Sequence, residues 1–422
     1  MTEVPALDPG FIAQLLPFDP FDPAFLADPY PVYAAIREKG PVTRTPLGLW
    51  AVTGHEVSSA VLRDPRFGWG DGATVADHFR TAADGSVVRP FIFADPPEHT
   101  RIRALVGKAF AARQVDRMRA TAERIVRELI EAARAEAGDG PIDLMAAVAH
   151  PLPGRMQNAL LGVPEGYAAR FDELSADIAR GLDPSFLLTP EEVARRDQAR
   201  AELYGYIGEL AEQRRTDPGT DLISELVSAE EGGEQLTPDE LEVTCTLLLS
   251  AGYATTVNLI GNGMLALLRA PEQRDWLRAH PDQVSAAVEE MLRFDAPVQM
   301  ISRTALAEAE IAGQLVQPGD QVMLMIGAAN HDPAVYDDPE RLQLDRRTTR
   351  NLGFGLGPHF CVGAPLARLT AQAAVSALSA LDLELVTESP TRVPNIIMRG
   401  LAELPVRVVV HPFRVSGAGG CA

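Results

Sequence analysis

The sequence contains few cysteines and almost no lysine. Its three cysteines, Cys245, Cys361 and Cys421, are too few for a disulfide framework, which indicates a protein of a reducing cytoplasm. Lys39 and Lys108 are the only lysines, so arginine supplies nearly all of the positive charge. Because 46% of the residues are hydrophobic and 23% are charged, the composition is that of a globular protein and excludes disorder or a collagen-like repeat.

Positive charge is also scarce overall. The 38 lysines and arginines face 58 aspartates and glutamates, which gives a formal net charge of −20. A chain this acidic lacks the basic field that nucleic acid binding requires, so we expect no nucleic acid partner. The N-terminus has no basic segment followed by a long apolar run, so we also expect no signal peptide and no membrane anchor.

One long stretch, residues 243–268, carries no charged side chain and is long enough to span a bilayer. It also contains several threonines, asparagines and glycines, and a lipid-facing helix rarely carries so many polar groups. We therefore expect a long helix through the core of a soluble protein, with polar groups along one side.

Helical patterns dominate the chain. Apolar residues recur every three or four positions between 118 and 133, and two capping boxes begin helices at Thr189 and Thr237. Strand patterns are fewer, and they lie near residues 42–53, 301–326 and 384–412. These patterns predict a mainly α fold with a minor β region, in a single domain over residues 1–422.

The most informative segment is Phe354-Gly355-Leu356-Gly357-Pro358-His359-Phe360-Cys361-Val362-Gly363. Its glycines allow the backbone to turn tightly and to approach a ligand closely. A helix pattern follows, and a cysteine just before a helix N-terminus is favoured as the thiolate. The segment has no partner cysteine or histidine at a zinc-ligand spacing, so it indicates a single axial bond from Cys361 to an iron held by a macrocycle.

The spacing Phe-Gly-x-Gly-x-His-x-Cys-x-Gly resembles the haem-thiolate signature of the cytochrome P450 family. The resemblance extends from about residue 28 to residue 412. It implies the single-domain P450 fold, in which haem b (iron protoporphyrin IX) lies between a long central helix and the cysteine loop. It also implies that Cys361 is the iron ligand, that Phe354 packs beside its sulfur, and that His359 binds a haem propionate. Gly363, the last residue of the signature, is implied to lie against the haem.

Glu290-Met291-Leu292-Arg293 resembles the Glu-x-x-Arg motif of the family. The i, i+3 spacing puts both charged side chains on one face of a helix, where they can pair. The resemblance implies a buried pair that stabilises the haem-binding core, with Arg341 or Arg346 completing the network.

The segment from Asp95 to Arg103 resembles the beginning of the family's proximal helix. His99 and Arg103 lie four residues apart and therefore share a helix face. The resemblance implies that both bind haem propionates, with Arg303 as a third contact, since two partly buried carboxylates need cations.

The polar side of the uncharged stretch resembles the oxygen-binding segment of the family. It is Ala251-Gly252-Tyr253-Ala254-Thr255-Thr256 here, where the family usually has Ala-Gly-x-acid-Thr-Thr. Glycine and threonine weaken the helix ladder, so we expect a local opening of the helix. The resemblance implies that Thr255, with Thr256 beside it, guides protons to bound dioxygen.

Ala254 departs from the family pattern, because alanine cannot transfer a proton. Three explanations stay open: the substrate supplies a polar group or ordered water near Thr255, the two threonines suffice with water, or the reaction is not ordinary monooxygenation. We favour a monooxygenase that uses two electrons and two protons per dioxygen to oxidise a largely apolar small molecule of bacterial specialised metabolism. The alternatives are a nitric oxide reductase, a peroxide-using or radical-coupling haem-thiolate enzyme, and a non-catalytic haem-binding or ligand-binding protein.

The resemblance assigns the substrate pocket to scattered apolar residues. They come from the segment before His99, the region near Phe186, the central helix and two C-terminal segments. The residues are Phe91, Ile92, Leu187, Leu248, Ala251, Val298, Met300, Ile301, Ile396 and Ile397. As a group they indicate a ligand with few polar groups.

Electrons are expected from another protein, because the chain leaves no room for a flavin domain and has no Gly-x-Gly-x-x-Gly after a strand. The resemblance implies a ferredoxin and its ferredoxin reductase. Since ferredoxins are acidic, we expect a basic patch on the thiolate side. Its candidate residues are Arg101, Arg113, Arg346, Arg347 and Arg350. We also expect a cytoplasmic monomer, and we assign no role to Cys245 or Cys421.

Overall fold

Helices dominate the structure, a computed structural model that describes residues 14–82, 84–110, 112–138, 140–180, 188–230, 233–347 and 350–409. The α-helices are α1 (Pro23–Ala27), α2 (Tyr30–Arg37), α3 (His55–Arg63), α4 (Glu98–Ala109), α5 (Ala112–Ala137), α6 (Pro151–Leu161), α7 (Glu165–Arg180), α8 (Pro190–Thr216), α9 (Leu222–Ser228), α10 (Pro238–Arg269), α11 (Pro271–Ala279), α12 (Val284–Phe294), α13 (Ile326–Ala329) and α14 (Ala364–Ser379). Short 3₁₀ turns cover Ala73–His78, Phe91–Phe93, Pro281–Gln283 and Gly357–His359, and a π-helical turn covers Met145–Ala149.

The strands are short and come from distant parts of the chain. They are β1 (Val42–Arg44), β2 (Trp50–Val52), β3 (Phe67–Gly68), β4 (Arg80–Thr81), β5 (Val87–Val88), β6 (Ile142–Asp143), β7 (Met300–Ala305), β8 (Ala309–Ile311), β9 (Gln314–Val316), β10 (Gln321–Met325), β11 (Leu383–Leu385) and β12 (Pro405–Val408). The main sheet has the order β1-β2-β10-β7-β3, in which β2 and β10 run parallel and the other pairs are antiparallel. A three-stranded sheet has the order β11-β12-β6, and β4-β5 and β8-β9 form two-stranded sheets.

Helix α10 lies at the centre of the fold. It begins at a reciprocal capping box, in which the N–H of Glu240 donates to the hydroxyl of Thr237 and the N–H of Thr237 donates to the carboxylate of Glu240. Among the described residues, α10 alone is long and apolar enough to cross a membrane, but most of its apolar window is buried inside the protein. It is therefore a core helix, as the polar residues within it predict.

A cluster of buried apolar residues joins α10 to α14, the helix that follows the cysteine loop. Buried residues of α5, α6, α10, α12 and α14 pack together in this cluster. Helix α14 begins at Ala364, three residues after Cys361, so the loop enters the core beside α10. The two segments that the sequence links to haem are thus brought to neighbouring helices.

The main secondary-structure predictions are confirmed. Helix α5 covers the repeat at 118–133, and α8 and α10 begin at the two capping boxes. Strands lie at each of the three predicted β segments. Phe186, Leu187 and Cys421, which the sequence analysis singled out, lie outside the described residues.

Candidate active site

The cysteine loop is held by its own backbone and by two glycines. The amide N–H of Cys361 donates to the carbonyl of Phe354 at 2.9 Å, which closes the loop. Gly355 and Gly357 have φ angles of 67° and 69°, values that other residues rarely adopt. A Cβ at Gly357 would also lie 2.4 Å from the carbonyl oxygen of Leu62, so no larger residue fits there. These glycines therefore shape the loop that carries the cysteine.

Opposing effects act on the thiol of Cys361. Burial raises its pKa, and the N–H groups of Gly363 and Ala364 lower it. The guanidiniums of Arg103 and Arg368 also lower this pKa, but burial outweighs all four groups. The N–H groups at the helix N-terminus therefore favour the thiolate, as the sequence predicts, although burial has the larger effect on this pKa. An iron cation at the sulfur would provide the missing stabilisation, since metal ligation deprotonates a thiol.

Four cation-forming side chains converge beside the loop. The imidazole rings of His99 and His359 lie 4.0 Å apart between centroids. His99 is 3% exposed, and its Nε2 has no hydrogen-bond partner among the described residues. Arg103, one turn further along α4, donates to the carbonyl of Phe360 at 2.5 Å. Arg303 on β7 is 5% exposed.

Burial lowers the pKa of each of these four side chains, and the guanidiniums lower the pKa of the two histidines further. Burial lowers the pKa of His359 to about 3, and the nearby guanidiniums add to the shift. Burial and the same guanidiniums also lower the pKa of His99. Burial lowers the pKa of Arg303 to about 10, against the opposing effect of Asp95. A buried site with two guanidiniums and two imidazoles that can donate hydrogen bonds suits an anion, and the two propionates of haem fit it.

The remaining ligands of the iron must come from the prosthetic group itself. Among the described residues, no group of three or more His, Cys, Asp or Glu side chains could hold a metal ion. A Cβ at Gly363 would lie 4.0 Å from the sulfur of Cys361, in van der Waals contact with it, so glycine places no side-chain atom there. A single thiolate fits an iron that is already bound by a macrocycle. The residues present therefore fit haem.

An ion pair supports the ring of Phe354, the residue predicted to pack beside the sulfur. The guanidinium of Arg368 lies 4.4 Å from the centre of this ring and donates twice to Glu289, once at 3.1 Å. The side-chain N–H of Asn351 also donates to Glu289, at 3.0 Å. These contacts connect α12, α14 and the cysteine loop.

Glu290 and Arg293 form the buried pair that the sequence predicts. Their side chains are 3% and 1% exposed, and Arg293 donates to both carboxylate oxygens of Glu290 at 2.8 Å. Arg346 completes the network, because its Nε donates to Glu290 at 3.1 Å. Arg341, the other candidate, contributes its carbonyl oxygen, which accepts from Arg293 and Arg346. The guanidinium in the network is therefore that of Arg346.

The Glu290–Arg293 pair also positions the cysteine loop. Arg293 donates to the carbonyl of Asn330 at 3.0 Å, and the Oδ1 of Asn330 accepts from the N–H of Leu352 at 2.8 Å. Leu352 lies two residues before Phe354, so these hydrogen bonds hold the backbone where the loop begins. Removing one partner of a buried ion pair costs about 3–5 kcal/mol. Losing Glu290 or Arg293 would therefore also loosen the backbone where the cysteine loop begins.

The threonines of the predicted oxygen-binding segment bond to their own helix. The hydroxyl of Thr255 donates to the carbonyl of Ala251 at 2.7 Å, and that of Thr256 donates to the carbonyl of Gly252 at 2.8 Å. Helix α10 is nevertheless continuous through these residues, so the predicted local opening does not appear as a break in the helix. A carbonyl oxygen has two lone pairs and can accept a hydroxyl in addition to an amide, which explains why the helix persists. Ala254 is half-buried and packs against the apolar core. Because the residue is alanine, this position of the helix carries no acid.

Two predicted pocket segments are adjacent in the structure. Val298 forms an isolated β-bridge with the residue after Ile397, and the N–H of Gln299 donates to the carbonyl of Ile397 at 2.8 Å. Met300 and Ile396 belong to the same buried apolar cluster. The two segments are therefore neighbours, and their place in the substrate pocket stays a prediction.

The other predicted pocket residues differ from one another in burial and in position. Phe91 is buried, and its ring centre lies 6.5 Å from that of His99, whereas Ile92 is exposed. Leu248, Ala251 and Ile301 are half-buried. A cavity of about 510 Å³ lies elsewhere, and its lining includes Tyr336, Arg341, Arg346 and Arg347 but none of the predicted pocket residues.

The sequence analysis missed a buried charged network that lies beside these two segments. Asp295 accepts from Arg399 at 2.6 Å, from Arg392 at 3.1 Å and from the hydroxyl of Tyr30 at 2.7 Å. Burial raises the pKa of Asp295, but these three donors outweigh it and bring the pKa to about 2. Asn262 on α10 donates to the carbonyl of Arg399 at 2.9 Å. No motif spacing joins these residues, so only the fold reveals the network.

The predicted basic patch is wrong for two of its arginines. Arg346 is buried in the Glu290 network, and Arg101 is paired with two glutamates. Arg350 is exposed, 3.7 Å from a glutamate, and Arg347 is exposed. The side chain of Arg113 lies outside the described part of the chain. Sequence position alone does not reveal which arginines have acidic partners, because those partners come from other elements.

Comparison with known families agrees with this site. The family model described as Cytochrome P450 matches residues 52–402. This chain belongs to the cytochrome P450 family.

Several relatives match almost the full chain. The cytochrome P450 monooxygenase PikC of Streptomyces venezuelae is 40% identical over 96% of this chain and 94% of that protein. The 6-deoxyerythronolide B hydroxylase of Saccharopolyspora erythraea is 36% identical over 91% of this chain and 97% of that protein. The crystal structure of CYP164A2 of Mycobacterium smegmatis has a TM-score of 0.83 and 40% identity, and the match covers 95% of this chain and 100% of that chain.

The chain is thus a haem-dependent monooxygenase with the P450 fold, and its homologues are bacterial. It uses dioxygen and electrons from a redox partner to oxidise a largely apolar small molecule. The names of the relatives do not favour the nitric oxide reductase, peroxide-using, radical-coupling or non-catalytic alternatives.

Proposed function

We propose that this protein binds haem b and oxygenates a bulky, largely apolar product of bacterial specialised metabolism. The observation that carries the proposal is the convergence of His99, His359, Arg103 and Arg303 at the loop of Cys361. The four side chains would hold the propionates, and the cysteine would bind the iron. When bound, the haem supplies the activation of dioxygen.

The chain's own contacts would orient the cofactor. Phe354, held by Arg368, would lie beside the sulfur, and Gly363 would leave the sulfur accessible to the iron. The Glu290–Arg293 pair would keep the start of the loop in place through Asn330.

Proton delivery would depend on Thr255. Its hydroxyl proton is engaged by the carbonyl of Ala251, so its oxygen can accept a hydrogen bond from water or from a polar group of the substrate. Thr256 is engaged in the same way, and Ala254 contributes no acid. We propose that protons reach Thr255 through water or through the substrate, not through a carboxylic acid of the segment.

The relatives suggest the class of substrate. Besides PikC and the 6-deoxyerythronolide B hydroxylase, a polyketide biosynthesis cytochrome P450, PksS of Bacillus subtilis, is 34% identical over 93% of this chain. We propose a polyketide or macrolide-like molecule as the substrate. The wall formed by Val298, Met300 and Ile396 is apolar and would contact the hydrocarbon part of such a molecule.

The electron donor would be a ferredoxin, reduced by a ferredoxin reductase, and the enzyme would act as a cytoplasmic monomer. An acidic donor requires local positive charge on a chain whose net charge is −20. Of the five arginines in the predicted patch, Arg347 is the one that the structure describes as exposed and without an acidic partner.

The test uses the purified holoenzyme. A reduced, carbon-monoxide-bound spectrum should have a Soret band shifted strongly to the red, which is the sign of thiolate ligation. With NAD(P)H, ferredoxin and ferredoxin reductase, a panel of macrolides and polyketides should yield a product that carries one atom of isotopically labelled dioxygen. Full product formation without external electrons, or rapid NADH oxidation by nitric oxide without ferredoxin, would overturn the proposal.

A further inference from the structure

A glutamine from a neighbouring helix bonds to the backbone of α10. The Nε2 of Gln157, on α6, donates to the carbonyl of Leu249 at 2.9 Å, and Gln157 is 5% exposed. A Cβ at Gly252 would lie 2.5 Å from the same nitrogen, so the glutamine takes the space that a side chain at position 252 needs. The amide orientation follows from chemistry, because a carbonyl can only accept.

The same stretch of α10 carries several side-chain hydrogen bonds to carbonyls. Ser250 donates to the carbonyl of Thr246 at 2.9 Å, and Thr255 donates to that of Ala251 at 2.7 Å. Such bonds bend and weaken a helix ladder. These donors belong to α10 itself, whereas Gln157 comes from another helix. Its hydrogen bond can therefore fix this deformable turn relative to the rest of the core.

Among the described residues, only one of the two amide atoms of Gln157 has a hydrogen-bond partner. The Oε1 of Gln157 is buried and has no hydrogen-bond partner among the described residues. Burying an unpaired amide oxygen costs free energy, which an apolar side chain of similar length would avoid. The hydrogen bond from its Nε2 to Leu249 is therefore the one polar contact that the described residues give this side chain.

We propose that Gln157 is a positioning residue for the hydroxyl of Thr255. By holding the carbonyl of Leu249, it sets the backbone of the following turn and therefore the place from which Thr255 acts. Its hydrogen bond is to the backbone of α10, so it would act through that helix. The inference rests on the proposed function, which assigns proton delivery to Thr255 in the absence of an acid at Ala254.

The test compares Gln157→Met and Gln157→Leu with Asn158→Leu. Asn158 is the matched control, because it is the next residue on α6, is also buried, and neither of its amide atoms has a partner among the described residues. The first readout is the C–O stretching frequency of the reduced, carbon-monoxide-bound holoenzyme. The second is the amount of product formed per NADH, and the thermal midpoint and haem content report folding.

Both Gln157 variants should shift the C–O band and lower the product per NADH several-fold, with thermal midpoints near that of the wild type. Asn158→Leu should leave the band and the coupling unchanged. Gly252→Ala should shift the band when Gln157 is present but add little to Gln157→Ala, since the two residues share one space.

A wild-type band in Gln157→Met and Gln157→Leu would overturn the inference, and so would an equal shift in Asn158→Leu. Failure of the proposed function has a different signature. In that case the wild-type enzyme forms no oxygenated product, while the C–O band still reports whether Gln157 positions the turn.

Discussion

The imidazole ring of His99 lies 4.0 Å from that of His359, centre to centre, beside the loop of Cys361. One histidine comes from α4 and the other from the 3₁₀ turn just before the cysteine. Burial and the guanidiniums of Arg103 and Arg303 lower the pKa of both rings. Keeping these groups together therefore costs free energy in the haem-free chain, and a bound anion would form favourable contacts with them.

Arg303→Leu should weaken haem binding and stabilise the haem-free chain. Burial lowers the pKa of Arg303 to about 10, so its charge is costly until a propionate pairs with it. We expect haem affinity to fall roughly 10- to 100-fold, measured as haem transfer to an acceptor apoprotein, and the thermal midpoint of the haem-free chain to rise. Arg101→Leu is the control, because Arg101 pairs with glutamates. Unchanged haem transfer in Arg303→Leu would contradict the propionate role.

Asp295→Asn should destabilise the protein by about 3–5 kcal/mol, because it leaves Arg399 and Arg392 buried without their counter-ion. The folded-state pKa of Asp295 is about 2, below the usual value for aspartate. Its stabilisation is therefore present above the unfolded-state pKa of about 3.9 and is lost as the pH falls toward 2.

Urea unfolding between pH 5 and pH 2 tests this dependence. The wild type should lose more stability over this range than Asp295→Asn, whose amide does not titrate. Asp64→Asn is the control, since Asp64 forms a solvent-exposed pair with Arg66 and should cost far less. Equal pH slopes for the wild type and Asp295→Asn would show that the buried network is not what titrates.

Arg346→Ala and Arg341→Ala should differ sharply in stability. Arg346 donates to the buried carboxylate of Glu290, whereas Arg341 contributes a backbone carbonyl that survives the substitution. Glu290 keeps Arg293 as its partner, so we expect Arg346→Ala to lower the free energy of unfolding by about 1.5–3 kcal/mol, and Arg341→Ala to change it by less than about 0.5 kcal/mol. Chemical unfolding of both variants measures the difference, and similar losses would mean that the guanidinium of Arg346 is not the partner of Glu290.

The parts of the site that the sequence predicted are local. Glu290 and Arg293 share a helix face at a spacing of three, and the cysteine loop needs its glycines for backbone angles that a short segment determines. The hydrogen bonds from Gln157 to Leu249 and from Arg399 to Asp295 join distant segments, so no spacing revealed them. The same reason explains the errors in the basic patch, because the burial and the acidic partners of an arginine depend on residues from other elements.

Ala254→Glu should change how protons reach Thr255. Ala254 packs against the apolar core, so a carboxyl group there would have a raised pKa and could act as a proton donor near neutral pH. General acid catalysis contributes about 10²- to 10⁴-fold where it is used, so we expect faster dioxygen consumption and a changed ratio of product to NADH. Ala254→Gln has a similar size without the acid and should not reproduce the effect. If both variants match the wild type, the acid position does not take part in this enzyme's reaction.

Arg347→Glu should slow reduction by ferredoxin. Arg347 is exposed, whereas its neighbour Arg346 is buried in an ion-pair network, so only the former can meet an acidic partner. We expect the reduction rate to fall about tenfold at low ionic strength, because a charge at the edge of a docking surface acts mainly on association. The difference should shrink as salt is added, since screening removes the attraction in the wild type as well.

Arg101→Glu is the informative comparison, because the glutamates around Arg101 already neutralise it and its loss should matter less. If Arg347→Glu is reduced as fast as the wild type at low salt, positive charge at this position does not guide the donor, and the acidic chain must bind its partner through another surface.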